Sequence, residues 1–158
     1  MSNDQDADYP LGPSLDFMRQ VSALNHALER LSSRMERTLG ITAQQRLIVR
    51  CVGKYPGITA GQLATLLHLD PGTVSASLKR LVDRRLLERR RDPRDKRRVA
   101  LGLTPTGREV DRPTEGTVED AVRRLLAEAS EAQVDTTKAV LSRLSRLLES
   151  TGAGPAEA

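Results

Sequence analysis

The periodicity of residues 87–103 limits what this chain can fold into more than any other feature. Before a charged tip, Leu87, Arg89 and Arg91 are expected to point to one side. After the tip, larger apolar residues alternate with other residues: Val99, Leu101 and Leu103 with Arg98, Ala100 and Gly102. A two-residue period on both sides of a short polar segment predicts a β-hairpin. The segments before and after have helical spacing. The sequence therefore predicts a mainly α-helical (α+β) fold with one small β-hairpin.

Capping residues mark the starts of four predicted helices. Thr42, Thr59, Asp70 and Thr104 each precede a helical segment, and the last two are followed by proline, which suits the first helical position. The helix after Asp70 is expected to run to about Leu86 and to bury Val74, Leu78 and Leu81. The helix after Thr42 is expected to turn four residues inward: Leu47, Ile48, Cys51 and Val52.

Longer apolar stripes lie at both ends of the chain. The first includes Phe17, Val21, Leu24, Leu28, Leu31 and Met35; the later ones include Val118, Val122, Leu125 and Ala129, then Leu141, Leu144 and Leu148. Pro113, with Gly116 close behind, predicts a kink or a break between the helix that follows Thr104 and the stripe that begins at Val118. The expected organisation is a flexible arm (1–13), a long N-terminal helix (14–40), a central region (41–103), C-terminal helices (104–150) and a disordered tail (151–158).

Positive charge is concentrated in one segment. Residues 79–98 contain 11 Lys and Arg against 4 Asp and Glu, whereas the whole chain has a net charge of only +4. Such a patch indicates a polyanionic partner, either nucleic acid or an anionic membrane surface. No apolar run reaches membrane-spanning length and the acidic N-terminus has no signal-peptide pattern, so a cytoplasmic protein without a membrane partner is expected.

Residues 59–87 fit a helix-turn-helix, with the small Ala64 where the two helices approach closely. With the hairpin they form a winged helix, whose second helix enters the major groove of double-stranded DNA while wing arginines enter the minor groove. The predicted DNA-binding residues are Thr73, Ser75, Ala76, Lys79, Arg80, Arg94, Lys96 and Arg97. Asp92 and Asp95 are expected to orient the wing arginines. The alternatives are a solvated basic face, and hydroxyls of Thr73 and Ser75 that only support the first helical turn.

The segment DPRDKRRVALGLTPTG resembles the wing and the following helix start of the MarR family of bacterial regulators. The matching residues are Asp92, Asp95, Arg97, Leu103, Thr104 and Gly107. The resemblance, over residues 14–149, implies a triangular homodimer on a pseudo-palindromic operator, with Arg97 in the minor groove. It implies an N-terminal dimerisation helix (14–40), a winged helix-turn-helix DNA-binding domain (41–103) and C-terminal dimerisation helices (104–150). It also implies a repressor that a small aromatic or phenolic effector releases, although some members respond to cysteine oxidation instead.

One residue departs from the family pattern at the end of the predicted recognition helix. Arg85 stands where the family often has glycine. A left-handed conformation costs a non-glycine residue on the order of 1 kcal/mol, so the turn is expected to have a different shape here.

Other chemistry has little support in the sequence. Cys51 lies beside apolar residues and is interpreted as structural rather than redox-active, and His26 and His68 have no second ligand at metal spacing. The sequence has no recognisable nucleophile–base pair and no phosphate-binding loop that would indicate an enzyme. No cofactor is expected. The alternative function is a non-specific architectural or protein-interaction winged helix.

Overall fold

The computed structural model describes residues 11–91, 95 and 98–152. Its elements in chain order are α1 (Pro13–Leu39), α2 (Ala43–Lys54), α3 (Ala60–Leu67), α4 (Pro71–Asp83), β1 (Leu87–Arg91), β2 (Val99–Leu103), α5 (Pro105–Val110), α6 (Val118–Glu128) and α7 (Glu131–Gly152). The predicted fold class, mainly helical with one hairpin, is confirmed. The chain divides into two compact units after Val118.

Reciprocal side-chain caps begin α2 and α3, as predicted. The Thr42 and Thr59 hydroxyls accept hydrogen bonds from the backbone N–H groups of Gln45 and Gln62, both at 3.2 Å. The two glutamine side chains accept in turn from the threonine N–H groups, at 3.1 and 3.0 Å. These capping boxes satisfy N–H groups that a helix start otherwise leaves without partners.

The core of the first unit lies beneath α4, and it contains the three predicted residues Val74, Leu78 and Leu81, which are almost fully buried. The predicted inner face of α2 is partly wrong. Ile48 and Val52 are buried, but Leu47 is 49% exposed and Val49 is buried in its place. Cys51 is only half-buried against the core. The buried face of α2 is rotated because Arg46, three residues before Val49, is itself buried.

A third chain segment extends the predicted hairpin. Strands β1 and β2 are antiparallel and pair Leu87 with Leu103 and Arg89 with Leu101, as their alternation predicts. Residues 57–59 pair with the other edge of β2, where Gly57 N–H donates to the Leu101 carbonyl at 3.0 Å and Leu101 N–H donates to the Ile58 carbonyl at 2.9 Å. The base of the hairpin is therefore held to the loop before α3.

Thr104 and Gly107 join α5 to the end of the helix-turn-helix. The Thr104 hydroxyl accepts from Gly107 N–H at 2.9 Å and donates to the Arg85 carbonyl at 2.5 Å. Gly107 packs directly on the Leu86 carbonyl, in space that a Cβ atom would fill. These contacts give the Leu-Thr-x-x-Gly motif a structural explanation, because its threonine caps α5 and its glycine permits the close approach.

Helix α4 ends at Asp83, three residues earlier than predicted. The reason is Arg85, whose φ of 56° is left-handed and turns the chain into β1. The expectation of a differently shaped turn is wrong, since Arg85 adopts the conformation that glycine favours. Its N–H donates to the Val82 carbonyl at 2.8 Å.

Two arginines of α2 hold the end of α5. The buried Arg46 guanidinium donates to the carbonyls of Val110 and Arg112, at 2.6 and 2.8 Å. One turn later, Arg50 donates to the Asp111 carbonyl and pairs with the Asp111 carboxylate at 2.9 Å. A positive charge at a helix C-terminus also interacts favourably with the helix dipole. The predicted break is confirmed: α5 ends at Val110, and Pro113 and Gly116 lie in the segment before α6.

The second unit contains most of α6 and all of α7. Asp120 is almost fully buried and pairs with Arg123 and Arg124 of its own helix. None of the residues of α7 with a described side chain is fully buried, and its Leu147 and Leu148 are 55% and 63% exposed. Thr151 and Gly152, which the sequence places in the tail, belong to this helix. None of the described helices is long and apolar enough to cross a membrane.

Candidate nucleic-acid interface

The first turn of α4 is organised by Asp70, the N-cap residue. Its carboxylate accepts from Thr73 N–H at 2.9 Å and also from the Thr73 hydroxyl. The hydrogen bonds from Thr73 hold the pKa of the Asp70 carboxyl below its usual value. The Thr73 hydroxyl therefore donates its proton to the cap, which agrees with the alternative that this hydroxyl supports the first helical turn. Its oxygen can still accept a hydrogen bond from another group.

Opposite the buried face of α4, the structure brings four of the predicted DNA-binding residues to one exposed face: Ser75, Ala76, Lys79 and Arg80. Their spacing places them on neighbouring positions of the helix surface. Lys79 Nζ lies 3.2 Å from the Asp83 carboxylate, and both side chains are mostly exposed. Exposed pairs of this kind contribute little to stability, so Lys79 can exchange Asp83 for another anion.

The turn between α3 and α4 has helix-turn-helix geometry. His68 ends α3 with a left-handed φ of 52°, and Leu69 N–H donates to the Ala64 carbonyl at 3.0 Å. Ala64 is buried where α3 meets the core, in line with the predicted need for a small side chain. His68 therefore serves as a C-cap. Among the described residues, no cluster of three or more His, Cys, Asp or Glu side chains is placed to hold a metal ion.

The described part of the hairpin presents arginines to solvent. Arg89, Arg90 and Arg91 are exposed, and Arg90 pairs with Glu88 on its own strand. At the tip, the Asp95 carbonyl accepts from Arg98 N–H at 2.9 Å. The other predicted wing residues lie outside the described residues: Asp92, Arg94, Lys96 and Arg97. Their roles, like the orienting role of Asp95, stay predictions.

Cys51 has the properties of a structural thiol. Burial raises its pKa, although the neighbouring Arg50 charge acts in the opposite direction. A thiol with a raised pKa is mostly protonated near neutral pH, and the thiolate is the reactive form. The geometry thus favours the structural interpretation of Cys51.

Sequence reasoning missed two parts of this arrangement. It assigned Asp70 a cap but not its hydrogen bond with the Thr73 hydroxyl, for which the Asp-x-x-Thr spacing was a usable signal. It also missed the link from Arg46 to the end of α5. The only local signal was an arginine on the buried side of an amphipathic helix.

The model of the MarR family matches residues 39–98, from the end of α1 to the beginning of β2. Over these residues the chain is similar to the MarR family. The multiple antibiotic resistance protein MarR of Salmonella typhimurium is 35% identical over 92 residues, which are 56% of this chain and 62% of that protein. The chain thus spans less than two thirds of this curated relative.

Solved structures match more of the chain. Streptococcus pneumoniae FabT in complex with DNA has a TM-score of 0.64 and 26% sequence identity, covering 87% of this chain and 98% of that one. A mutant of E. coli MarR complexed with operator DNA has a TM-score of 0.64 and 27% identity, covering 82% of this chain and 93% of that one.

Proposed function

We propose that this protein is a transcription regulator of the MarR family that binds double-stranded operator DNA as a homodimer. The observation that carries the proposal is the exposed face of α4, where Ser75, Ala76, Lys79 and Arg80 stand opposite a tightly packed core. Short residues let a helix press into the major groove, while longer basic residues reach the phosphates. The crystallised complexes of FabT and E. coli MarR with DNA support the same assignment by analogy.

The charge distribution supports a duplex partner. The net charge of +7 over residues 79–98 follows from its 11 basic and 4 acidic residues, and it spans the second half of α4, β1 and the hairpin tip. A groove of A·T-rich DNA that is narrow and strongly negative attracts arginine. In the proposed complex Arg94, Lys96 and Arg97 contact the minor groove or its phosphates, while Asp92 and Asp95 orient them.

Exposed apolar side chains support the homodimer. In the single chain, α1 leaves seven large apolar residues at least 36% exposed: Leu15, Phe17, Met18, Val21, Leu24, Leu28 and Leu39. Helix α7 leaves Leu141, Leu147 and Leu148 exposed to a similar degree. Apolar surface of this extent on a monomer usually marks a protein interface. We therefore assign the helices of residues 14–40 and 104–150 to dimerisation.

The decisive measurement is a specificity ratio. The protein is titrated onto its own promoter DNA and onto scrambled DNA at a fixed salt concentration. A sequence-specific regulator should prefer its site by about 10³-fold or more, and its footprint should show two half-sites about 34 Å apart. Equal affinity for both DNAs would instead support the non-specific architectural function.

Lys79→Ala tests the α4 face directly, and Lys138→Ala is its matched control. Both lysines are mostly exposed and pair with an aspartate of their own helix, Lys79 at 3.2 Å and Lys138 at 3.1 Å. Only Lys79→Ala should weaken binding and reduce the slope of log K against log salt by about one. Equal effects of the two substitutions would remove α4 from the interface.

The sign of regulation and its control follow from family analogy. We propose a repressor that a small aromatic or phenolic effector releases by favouring a dimer with mis-spaced recognition helices. Differential affinities of this kind typically correspond to about 1–3 kcal/mol. A thermal-shift screen of aromatic acids and phenols, with each hit tested for release of operator DNA, examines this proposal. Hits that stabilise the protein without altering DNA affinity would count against effector release.

A further inference from the structure

The first turn of α4 places a threonine hydroxyl at the edge of the exposed face that is proposed to enter the major groove. Thr73 is the third residue of α4 and is half-buried, and Ala76 lies three positions later on the exposed face. Residues three apart are neighbours on a helix surface. The N-terminal residues of the second helix of a helix-turn-helix contact base edges. In the proposed complex, Thr73 therefore lies beside bases rather than beside phosphates.

The acceptor determines the direction of the hydrogen bond between Thr73 and Asp70. The Thr73 hydroxyl contacts the Asp70 carboxylate, which also accepts from Thr73 N–H at 2.9 Å. The hydrogen bonds from the hydroxyl and the N–H hold the pKa of the Asp70 carboxyl below its usual value, so the group is ionised at neutral pH. An ionised carboxylate can only accept, whereas a hydroxyl has one proton and two lone pairs. The proton of Thr73 therefore points to Asp70, and its oxygen offers only lone pairs to a ligand.

Ser75 lies on the same face without this restriction. It is exposed, and its hydroxyl has no hydrogen-bond partner within the described part of the chain. A hydroxyl that rotates freely donates or accepts as its partner requires, so it distinguishes poorly between donors and acceptors. Of these two hydroxyls, only that of Thr73 has a fixed polarity.

The major groove presents a different pattern of donors and acceptors for each base. Adenine and cytosine each carry an amino group there, whereas guanine offers N7 and O6, and thymine offers O4 and a methyl group. A hydroxyl oxygen that can only accept is complementary to the amino group of adenine or cytosine. Opposite guanine O6 or thymine O4, two acceptors would face each other with no proton between them, and both would lose their hydrogen bonds to water.

The charge of Asp70 strengthens this selection. Its carboxylate is exposed and accepts directly from the Thr73 hydroxyl. Donation to a charged acceptor polarises a hydroxyl and makes its oxygen a better acceptor. A carboxylate at a base edge also accepts from the cytosine amino group, so Asp70 and Thr73 favour the same kind of base.

We propose that Thr73, oriented by Asp70, selects adenine or cytosine over guanine or thymine at one position of each operator half-site. Thr73 contacts the base, and Asp70 is a positioning residue that fixes the polarity of the hydroxyl. This selection rests on the proposed function, because it requires α4 to lie in a major groove.

Selection from a random-sequence library of duplex DNA, followed by sequencing, tests the proposal on the full chain. At one position of each half-site, on one strand, the unmodified protein should prefer adenine or cytosine by about tenfold, as expected for one mismatched contact. Thr73→Val keeps the shape of the side chain but lacks the hydroxyl, so it should lose this preference. Asp70→Asn keeps a capping residue and should also lose the preference, because its amide can donate to the Thr73 oxygen and release the hydroxyl proton.

Asp83→Asn is the matched control for the removed charge. Asp83 lies on the same helix, is mostly exposed and pairs with Lys79 at 3.2 Å. Its substitution should raise the affinity for DNA of any sequence and leave the base preference unchanged. If Asp83→Asn and Asp70→Asn changed the preference equally, charge rather than hydroxyl polarity would determine it, and the proposal would be overturned.

Base analogues in the enriched site locate the contact. Purine in place of the selected adenine, or 2-pyrimidinone in place of the selected cytosine, removes only the amino group. This replacement should weaken binding of the unmodified protein about tenfold more than binding of Thr73→Val. Equal weakening of the two proteins would refute a contact between the amino group and Thr73.

Two negative results have different meanings. If the unmodified protein enriches no sequence, the proposed function is wrong, and base selection by Thr73 is wrong with it. If it enriches a site whose preferences are the same in Thr73→Val and Asp70→Asn, the proposed function stands and the role of Thr73 alone is refuted.

Discussion

Gly107→Ala and Gly61→Ala are the same substitution in two helices, and the structure predicts opposite effects on stability. In α3, a Cβ atom at Gly61 would meet nothing within 4 Å. Alanine favours the helix by up to about 1 kcal/mol over glycine. Gly61→Ala should therefore raise the free energy of unfolding by up to about 1 kcal/mol.

At Gly107 the new Cβ atom would overlap the Leu86 carbonyl oxygen and lie 3.0 Å from the Leu86 carbonyl carbon. Carbon atoms in van der Waals contact are about 3.5–4.0 Å apart, so α5 must move away from residue 86 by at least about 0.5 Å. Overpacking against backbone belongs at the upper end of its range, about 3 kcal/mol. The shift also strains the Thr104 cap, which contributes about 1 kcal/mol. After the helix-propensity gain, a net loss of about 3 kcal/mol is expected.

Urea denaturation and thermal melts at one chain concentration measure both variants. A loss of about 3 kcal/mol corresponds to a Tm lower by about 6–12 °C in a chain of this size. The concentration must be matched because the proposed dimerisation would contribute to apparent stability. If Gly107→Ala were as stable as the unmodified protein, the packing of α5 on residue 86 described above would be wrong.

Three further predictions concern single side chains. Arg85→Gly should raise the free energy of unfolding by up to about 1 kcal/mol, because it removes an arginine from a left-handed conformation. The control Arg84→Gly should lower the free energy of unfolding, since Arg84 has an ordinary φ of −83°. A lower Tm for Arg85→Gly would contradict this prediction. Arg46→Met should lower the free energy of unfolding by about 3–5 kcal/mol, because two hydrogen bonds of a charged, buried group are lost. Urea denaturation measures this loss, and a change below about 1 kcal/mol would refute the link between Arg46 and α5. The lowered pKa of Asp70 means that its stabilising effect is complete above its usual pKa of 3.8 and is lost as the pH falls through the folded value. Asp70→Ala should therefore show a smaller drop in Tm between about pH 6 and about pH 2.5 than the unmodified protein, and an equal drop would exclude this role.

Features that depend on neighbouring residues were predictable from the sequence. The caps at Thr42 and Thr59 and the alternation of the hairpin each involve residues close in the chain, or a register that the pattern itself defines. The exposed face of α4 was predictable for the same reason, since burial of Val74, Leu78 and Leu81 determines which positions face away.

Features that depend on distant residues were not predictable. The orientation of α2 depends on Arg46 reaching carbonyls 64 and 66 residues away, so the apolar pattern alone favoured Leu47 over Val49. The conformation of Arg85 follows from hydrogen bonds made by Thr104, and the local preference of arginine opposed it. The pairing of residues 57–59 with β2 likewise joins segments that are distant in the chain.

The hydrogen bonds of Arg46 determine where the winged helix can be cut from the rest of the chain. A fragment that ended at Leu103, where the winged helix itself ends, would retain the buried guanidinium but lose both carbonyls that accept from it. A charged group stranded in an apolar interior is strongly unfavourable. The smallest autonomous piece must therefore extend at least to Arg112, and shorter pieces should be recovered only as loosely folded, protease-sensitive material.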